Sequence, residues 1–457
     1  MRNLIFFLLF PLLLAGQVNF STYGAVGDGV TNDRAALQSA LDNESNLIAD
    51  EGATFLITGI LDIDQGFAHT IDWNGATIIT TSALEPMIAI DKRSANGGLT
   101  TMSNLTIDGN GDAQRGLECN SRVDLLNIHA TGFMQSTTAS PAGIYIHVYN
   151  DADCYGDWIF DNVDVSDVRG LDNGNTTDSW GAANGYLIYW VQVPSSPTTL
   201  KIKNGEVYDC WGEDSQCVGA FSTGIDISNS NGSMEFTNMN MYDWERRCVK
   251  NFTGNATYTD CTFTDPSPSN PNLVSKNKSG MVVFGSGSGA NGGDNVIFEN
   301  CDFVGRGYDG RVIALNTTDS AIRNSTFTNA SLAFTLDVGD FDVCDSDFGA
   351  SSGSGASIYS YGSGSDVGQI QIDTNNTYSE GSPINVTDYS YVETALVCAA
   401  SETCSDGIMN QDETGIDCGG VCEPCEEPEP EPSIGRRVKT KGKVYLNGSP
   451  VQIYIAE

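Results

Sequence analysis

Residues 296–303 read VIFENCDF, and the same register returns as SAIRNSTF at 320–327 and FDVCDSDF at 341–348. In each copy, alternating apolar residues lead to Asn or Asp, and a large apolar residue follows three positions later. Alternation is the period of a β-strand, and Asn and Asp tolerate a left-handed turn. Earlier copies read WIFDNVDV, LKIKNGEV, MEFTNMNM and ATYTDCTF, at 158–165, 200–207, 234–241 and 256–263. This recurrence indicates a repeat protein.

A second family of strands lies between these copies, and no segment with a helical period intervenes. Its members include GIYIHVYN, GYLIYWVQV, GMVVFGSG, RVIALNTT and SLAFTLDVG, at 143–150, 185–193, 280–287, 311–318 and 331–339. A unit this small cannot bury its own apolar face, so neighbouring units must stack. The sequence therefore predicts an all-β, parallel β-helix. An antiparallel sandwich would not preserve one register over so many segments.

The front of the chain contains one convincing helix. Residues 23–33 read YGAVGDGVTND and lead into RAALQSAL at 34–41, whose apolar spacing is helical. This start resembles that of the pectate-lyase-like superfamily, whose right-handed β-helices commonly begin with such a turn and a helix that caps the core. The resemblance implies a right-handed solenoid with an N-terminal capping helix. It leaves activity open, because the superfamily includes lyases, glycoside hydrolases, epimerases and phage tailspikes.

Charge excludes several classes of partner. The chain has 59 acidic and 22 Lys or Arg residues among 457, and its formal net charge is −37. Nucleic acid and anionic lipid both demand a basic face, so neither is an expected partner. Residues 1–16 carry a short basic start and an apolar run too brief to span a bilayer. We interpret them as a signal peptide and expect a secreted, cell-surface or virion-associated protein without membrane insertion.

The expected domain organisation follows from composition. The β-helix takes residues 17–395, and the Cys-rich segment 396–425 resembles a disulfide module of secreted marine-bacterial surface proteins. An acidic, Pro-rich linker follows at 426–434. The basic segment 435–457 alternates around Asn-Gly, which predicts a hairpin. This hairpin is a candidate for docking to a surface or virion partner. The resemblance to tailspikes, which often form trimers, makes a homotrimer a candidate assembly.

The cysteines within the repeats give two further expectations. Cys261 and Cys301 share one repeat position, so they should point inward and pack, or bridge if their coils adjoin. Cys210 and Cys217 flank a loop and are candidates for a disulfide that staples it.

A column of carboxylates follows the first strand family. Asp167, Asp209, Asp243 and Asp265 each come two residues after its last apolar position. Directly stacked coils would place these side chains about 4.8 Å apart. Carboxylates that close raise one another's pKa or bind a cation, so Asp167, Asp209 and Asp243 are candidate catalytic residues. Asp209 and Asp243 are also candidate calcium ligands, although no cofactor is required by the sequence. The alternative is that each Asp only opens a turn.

The residues beyond the column suit a sugar-binding groove. An exposed Trp offers a flat apolar face to a pyranose ring, and charged side chains meet its hydroxyl groups. The candidate substrate-binding residues are Trp211, Glu213, Trp244, Glu245, Arg246 and His147. Arg246, Arg247 and Lys250 are candidates for the base of a lyase reaction.

These features predict a protein that binds, and cleaves, an extracellular polysaccharide. A hydrolase would need two of the carboxylates, whereas a lyase acting on a uronic acid would need a cation and a base. The motifs of the polygalacturonase hydrolases of this fold are absent from the sequence. A non-catalytic adhesin or phage tailspike that holds a glycan on the same face is the alternative, and a purely structural solenoid is the third possibility.

Overall fold

The structure is a computed structural model. It describes residues 16–63, 67–90, 99–135, 140–170, 183–212, 215–222, 227–228, 230–244, 246–265, 281–285, 293–305, 310–349, 357–366, 368–379, 384–387, 389–396, 444–446 and 449–451. The chain divides into two compact units, residues 1–398 and 399–457.

Two parallel sheets build the first unit, which is a right-handed parallel β-helix. The larger has 25 strands. They are Val18–Asn19, Asp28–Asn32, Asn46–Ile48, Thr54–Ile57, Thr70–Thr80, Thr100–Asp108, Val123–Thr131, Phe133–Met134, Gly156–Val165, Val168–Arg169, Thr198–Lys203, Glu206–Trp211, Gly232–Thr237, Asn240–Trp244, Ala256–Thr259, Thr262–Thr264, Val296–Glu299, Asp302–Val304, Ser320–Arg323, Thr326–Thr328, Phe341–Cys344, Asp347–Phe348, Ile370–Asp373, Thr377–Tyr378 and Tyr391–Thr394.

The smaller sheet has 12 strands, one from each coil that it crosses. They are Leu61–Ile63, Ile88–Ile90, Arg115–Cys119, Ala142–Val148, Asn184–Trp190, Gln216–Ser222, Arg247–Asn251, Val282–Gly285, Arg311–Thr317, Ser331–Val338, Ile358–Asp366 and Ile384–Asn385. These are the second strand family of the sequence. Pairing within both sheets is parallel, so the predicted fold class is confirmed.

Asn residues make the corner that divides the larger sheet into two faces. Asn104, Asn127 and Asn162 have φ between 54° and 58°, the left-handed region that Asn tolerates. Their side chains also form a ladder between coils. The Nδ2 atom of Asn127 donates to Oδ1 of Asn104 at 3.0 Å, and that of Asn162 to Oδ1 of Asn127 at 2.9 Å. The repeated Asn thus sets the bend and also links successive coils.

Inward-facing aromatic residues stack along the core in the C-terminal half. The ring centroids of Phe303 and Phe327 lie 4.7 Å apart, and those of Phe327 and Phe348 lie 4.4 Å apart. These are the large apolar residues that follow each corner in the repeat. Each is fully buried by the coils above and below, which explains why a single coil cannot fold alone.

The N-terminal helix spans Arg34–Asn43 and follows a 3₁₀ helix at Phe20–Tyr23. It buries Leu37, Ala40 and Leu41 against the first coils. Asp33 fixes the preceding turn, because its carboxylate accepts hydrogen bonds from the backbone N–H groups of Val26 and Gly27 at 2.7 and 3.0 Å. The predicted capping helix is therefore present, and its acidic start organises the entry to the solenoid.

The cysteine predictions have different outcomes. Cys261 and Cys301 are buried and unbridged, as inward-packing residues should be. Cys210 and Cys217 are also buried and free, so the expected disulfide staple is wrong. Both face the interior of the solenoid, where Sγ of Cys217 contacts the backbone oxygen of Val207 at 3.4 Å. Residues 397–443, which include nearly all of the predicted Cys-rich segment 396–425, the linker 426–434 and the start of the basic segment, lie outside the described residues.

In the second unit, Val444–Leu446 pairs antiparallel with Ser449–Val451, as a hairpin around Asn-Gly requires. Among the residues that the structure describes, no helix is long and apolar enough to cross a membrane.

Candidate functional site

The first three aspartates of the column lie at the corner that ends the second face of the larger sheet. Asp167, Asp209 and Asp243 have φ of 49°, 57° and 50°, so each adopts the left-handed conformation of a turn. Strand pairing puts Val168 opposite Cys210, and Cys210 opposite Trp244. The residue before each of these is an aspartate, so the three aspartates occupy equivalent positions on consecutive coils. The three aspartates therefore form a stacked column, and each of them also makes a left-handed turn.

Arg169 links two of these carboxylates. Its Nε lies 2.5 Å from Oδ1 of Asp167, and its Nη2 lies 3.4 Å from Oδ2 of Asp209. The side chains remain accessible, with 43% of Arg169, 41% of Asp167 and 33% of Asp209 exposed. Pairs this exposed contribute little to stability. They do fix the positions of charged groups on an open surface.

Trp211 completes this cluster. It is half-buried, its indole Nε1 donates to Oδ1 of Asp209, and its ring lies 5.8 Å from the Arg169 guanidinium carbon. Pairing of Arg169 with Trp211 across neighbouring coils holds the two side chains together. We call Asp167, Arg169, Asp209, Trp211 and Asp243 the aspartate edge.

The environment of Asp209 raises the pKa of its carboxyl group. Partial burial is the largest cause and raises the pKa of this carboxyl above its ordinary value. Arg169 lowers the pKa, whereas the charges of Asp167 and Asp243 on either side raise it. Such a carboxyl is better suited to donating a proton than an isolated aspartate is.

Two tyrosines beside the aspartate edge escaped the sequence analysis. Tyr208 and Tyr242 face each other on neighbouring coils, with ring centroids 4.9 Å apart and planes within 2° of parallel. The Tyr242 hydroxyl donates to Oε2 of Glu206 at 2.9 Å. We call Tyr208 and Tyr242 the tyrosine pair. Each directly precedes an aspartate of the column, so their shared repeat position was the signal that could have revealed them.

Two predicted members of the site, Trp244 and Arg247, and the fourth aspartate of the column, Asp265, are buried. Trp244 has no exposed surface, and its indole Nε1 donates to the backbone oxygen of Thr264 at 3.0 Å. Arg247 is 8% exposed at the start of its strand in the smaller sheet, and Asp265 is 5% exposed. The physical reason for Trp244 is register, because it pairs with the inward-facing Cys210 and not with Trp211. Trp244 is therefore a core residue.

The other predicted residues are placed as follows. Arg246 is partly exposed and follows the corner at Asp243 closely in sequence. Glu213 and Glu245 lie outside the described residues.

His147 belongs to the smaller sheet. Its Nδ1 lies 2.7 Å from Oδ1 of Asn120, and its ring meets those of Tyr145 and Tyr189 at 4.2 and 6.0 Å. Burial lowers the pKa of His147, and Glu118 opposes that shift. His147 is the sixth residue of Ala142–Val148 and lies about 16 Å along that strand from Ala142. The structure thus assigns it to an aromatic cluster on a different sheet from the aspartate edge.

Cation binding by the column stays a prediction. Within the described residues, no group of three or more His, Cys, Asp or Glu side chains is arranged to hold a metal ion. Arg169 supplies the positive charge between Asp167 and Asp209.

No family model matches the sequence, and no curated protein matches it. Several solved structures have a similar fold at low identity. The catalytic domain of Agl-KA is 13% identical with a TM-score of 0.47, over 83% of this chain and 69% of that chain. The A-module of the mannuronan C-5 epimerase AlgE4 of Azotobacter vinelandii is 13% identical with a TM-score of 0.45, over 83% and 99%. PfbA, a surface adhesin of Streptococcus pneumoniae, is 14% identical with a TM-score of 0.43, over 84% and 96%. Function is therefore inferred from the side chains of the aspartate edge.

Proposed function

We propose that the protein binds an extracellular polysaccharide on the aspartate edge and hydrolyses a glycosidic bond there. The observation that carries the proposal is the grouping of Asp209, Arg169 and Trp211 on an open face, beside the tyrosine pair. Aromatic faces pack against sugar rings, and fixed charged groups meet hydroxyl groups. Asp209 and Asp243 on neighbouring coils supply the two carboxyl groups that hydrolysis needs.

The proposed reaction assigns different roles to neighbouring aspartates. Asp209, whose pKa is raised, protonates the leaving oxygen as the bond to the anomeric carbon breaks. Asp243 has no hydrogen-bond or ion-pair partner among the described residues, and its carboxylate attacks that carbon. Water then releases the sugar as Asp209 takes up the proton. Coils about 4.8 Å apart match the short carboxyl separation of retaining enzymes, so the anomeric configuration is expected to be retained.

The test is incubation of the full chain with a panel of plant and marine polysaccharides, with calcium or with chelator. We expect new reducing ends that resist chelator. Asp209→Asn and Asp243→Asn should each lower the rate at least about a hundredfold. Asp345→Asn is the matched control, because Asp345 is an exposed left-handed corner residue on a distant coil, with φ of 43°.

Other outcomes would redirect the proposal. Unsaturated uronate products that disappear with chelator would replace hydrolysis by a calcium-dependent lyase reaction. Retention of a glycan without product would leave binding alone, as in an adhesin or tailspike. Arg169 favours this second candidate, because it already pairs with two carboxylates, an arrangement suited to a fixed binding surface.

A further inference from the structure

We infer that the polysaccharide is neutral and that it extends from the aspartate edge over a depression around His129. This inference rests on the proposed function, and it adds the substrate class and a further subsite. The depression has a volume of about 280 Å³. Its polar lining consists of Asn104, Thr106, Asn127, His129, Asn162 and Asp164. We call it the His129 depression.

Strand register connects the depression to the proposed site. His129 pairs with Thr106 on one side and Asp164 on the other, so the three side chains point outward in one row. Asp164 then accepts a hydrogen bond from the backbone N–H of Glu206 at 2.8 Å. Glu206 in turn accepts from the Tyr242 hydroxyl. The outer face of the sheet is therefore continuous from the His129 depression to the tyrosine pair.

The length of this face suits an extended chain. His129 and Tyr242 are three coils apart, which corresponds to about 14 Å along the solenoid axis. Successive coils are separated by nearly the length of one sugar unit in an extended polysaccharide. A glycan that packs on the tyrosine pair would therefore place its next units over Asp164 and His129.

The polar groups of the depression match hydroxyl groups. Among the described residues, neither nitrogen of the His129 ring has a hydrogen-bond partner, and only Oδ1 of Asp164 accepts a bond. The imidazole offers one donor and one acceptor when neutral, and the second Asp164 oxygen accepts from a sugar hydroxyl. Sugar hydroxyl groups both donate and accept, so this combination fits them.

The charge of the face disfavours a polyuronate. Carboxylates dominate the path, namely those of Asp164, Asp167, Glu206, Asp209 and Asp243. Of the described cations near the aspartates, Arg247 is buried, Arg169 already pairs with Asp167 and Asp209, and Arg246 is partly exposed. The formal net charge of −37 adds a repulsive field for any polyanion. A glycan with one carboxylate on every sugar would therefore meet like charges along its whole length.

The test compares neutral oligosaccharides with polyuronates on the full chain. Trisaccharides and hexasaccharides from β-glucan, mannan and galactan are titrated by calorimetry, beside polygalacturonate and alginate fragments of equal length. We expect a neutral series to bind and the polyuronates to bind at least about tenfold more weakly. His129→Gln and Asp164→Asn should weaken hexasaccharide binding about three- to tenfold and leave trisaccharide binding unchanged. Asp345→Asn is the control, and thermal unfolding verifies the fold of each variant.

The outcomes separate the inference from the proposed function. Polyuronate binding that is lost in Trp211→Ala overturns the neutral substrate but supports the aspartate edge. Hexasaccharide affinity unchanged by both His129→Gln and Asp164→Asn overturns the subsite. Absence of binding to every glycan tested overturns this inference together with the proposed function.

Discussion

Two neighbouring coils carry nearly the same residues and use them differently. Residues 207–211 read VYDCW and residues 241–244 read MYDW. The left-handed aspartate is equivalent in both, yet Trp211 lies beside Arg169 on the surface, whereas Trp244 is fully buried. The single residue Cys210 accounts for the difference, because it takes the inward position in one coil that Trp244 takes in the next. A shift of one residue exchanges the faces of a strand.

The largest expected effect comes from exchanging these tryptophans for alanine. Trp244→Ala removes a fully buried side chain and should lower the free energy of unfolding by about 3–5 kcal/mol. Trp211→Ala should change it by less than about 1 kcal/mol while abolishing glycan binding. Denaturant unfolding and calorimetry measure the two effects. The comparison fails if Trp211→Ala destabilises the protein as much as Trp244→Ala does.

A smaller effect concerns the charge of Asp209 at the corner of its coil. Because folding raises the pKa of Asp209, its carboxylate costs stability at pH values above that raised pKa. This cost vanishes below the ordinary aspartate pKa of about 3.9, where the group is protonated in both the folded and unfolded states. Asp209→Asn should therefore gain stability over the wild type at neutral pH, and the gain should shrink on acidification.

Urea unfolding at several pH values measures this dependence. Asp345→Asn controls for the preference of Asn for left-handed backbone, which does not depend on pH. An advantage of Asp209→Asn that grows as the pH falls would contradict the assigned environment.

The smallest effect distinguishes the two members of the tyrosine pair. Tyr242→Phe removes the hydrogen bond to Glu206 and should cost about 1 kcal/mol or less. Tyr208→Phe keeps the ring, and among the described residues its hydroxyl has no partner, so stability should hardly change. Both variants keep the stacked rings, so both should retain glycan binding. Equal losses of stability in the two variants would contradict a stabilising role for the hydrogen bond from Tyr242 to Glu206.

The repeat predicted the fold because one Asn or Asp sets each corner and one large residue fills each coil. The same logic placed Asp167, Asp209 and Asp243 on consecutive coils. It failed for Trp244, because a sequence pattern does not reveal whether a residue after a left-handed corner turns inward. It also failed for His147, because the assignment of its strand to the second family did not reveal that this family forms a different sheet from the one that carries the aspartates. The tyrosine pair was predictable from its shared repeat position.

Tryptophan fluorescence tests the central claim most directly. Of the six tryptophans, Trp73, Trp158, Trp190 and Trp244 have no exposed surface, and Trp180 lies outside the described residues. A bound glycan should therefore shift the emission and shield Trp211 from acrylamide. We predict that Trp211→Phe abolishes this response and that Trp180→Phe preserves it. A full response to glycan in Trp211→Phe would contradict binding at the aspartate edge.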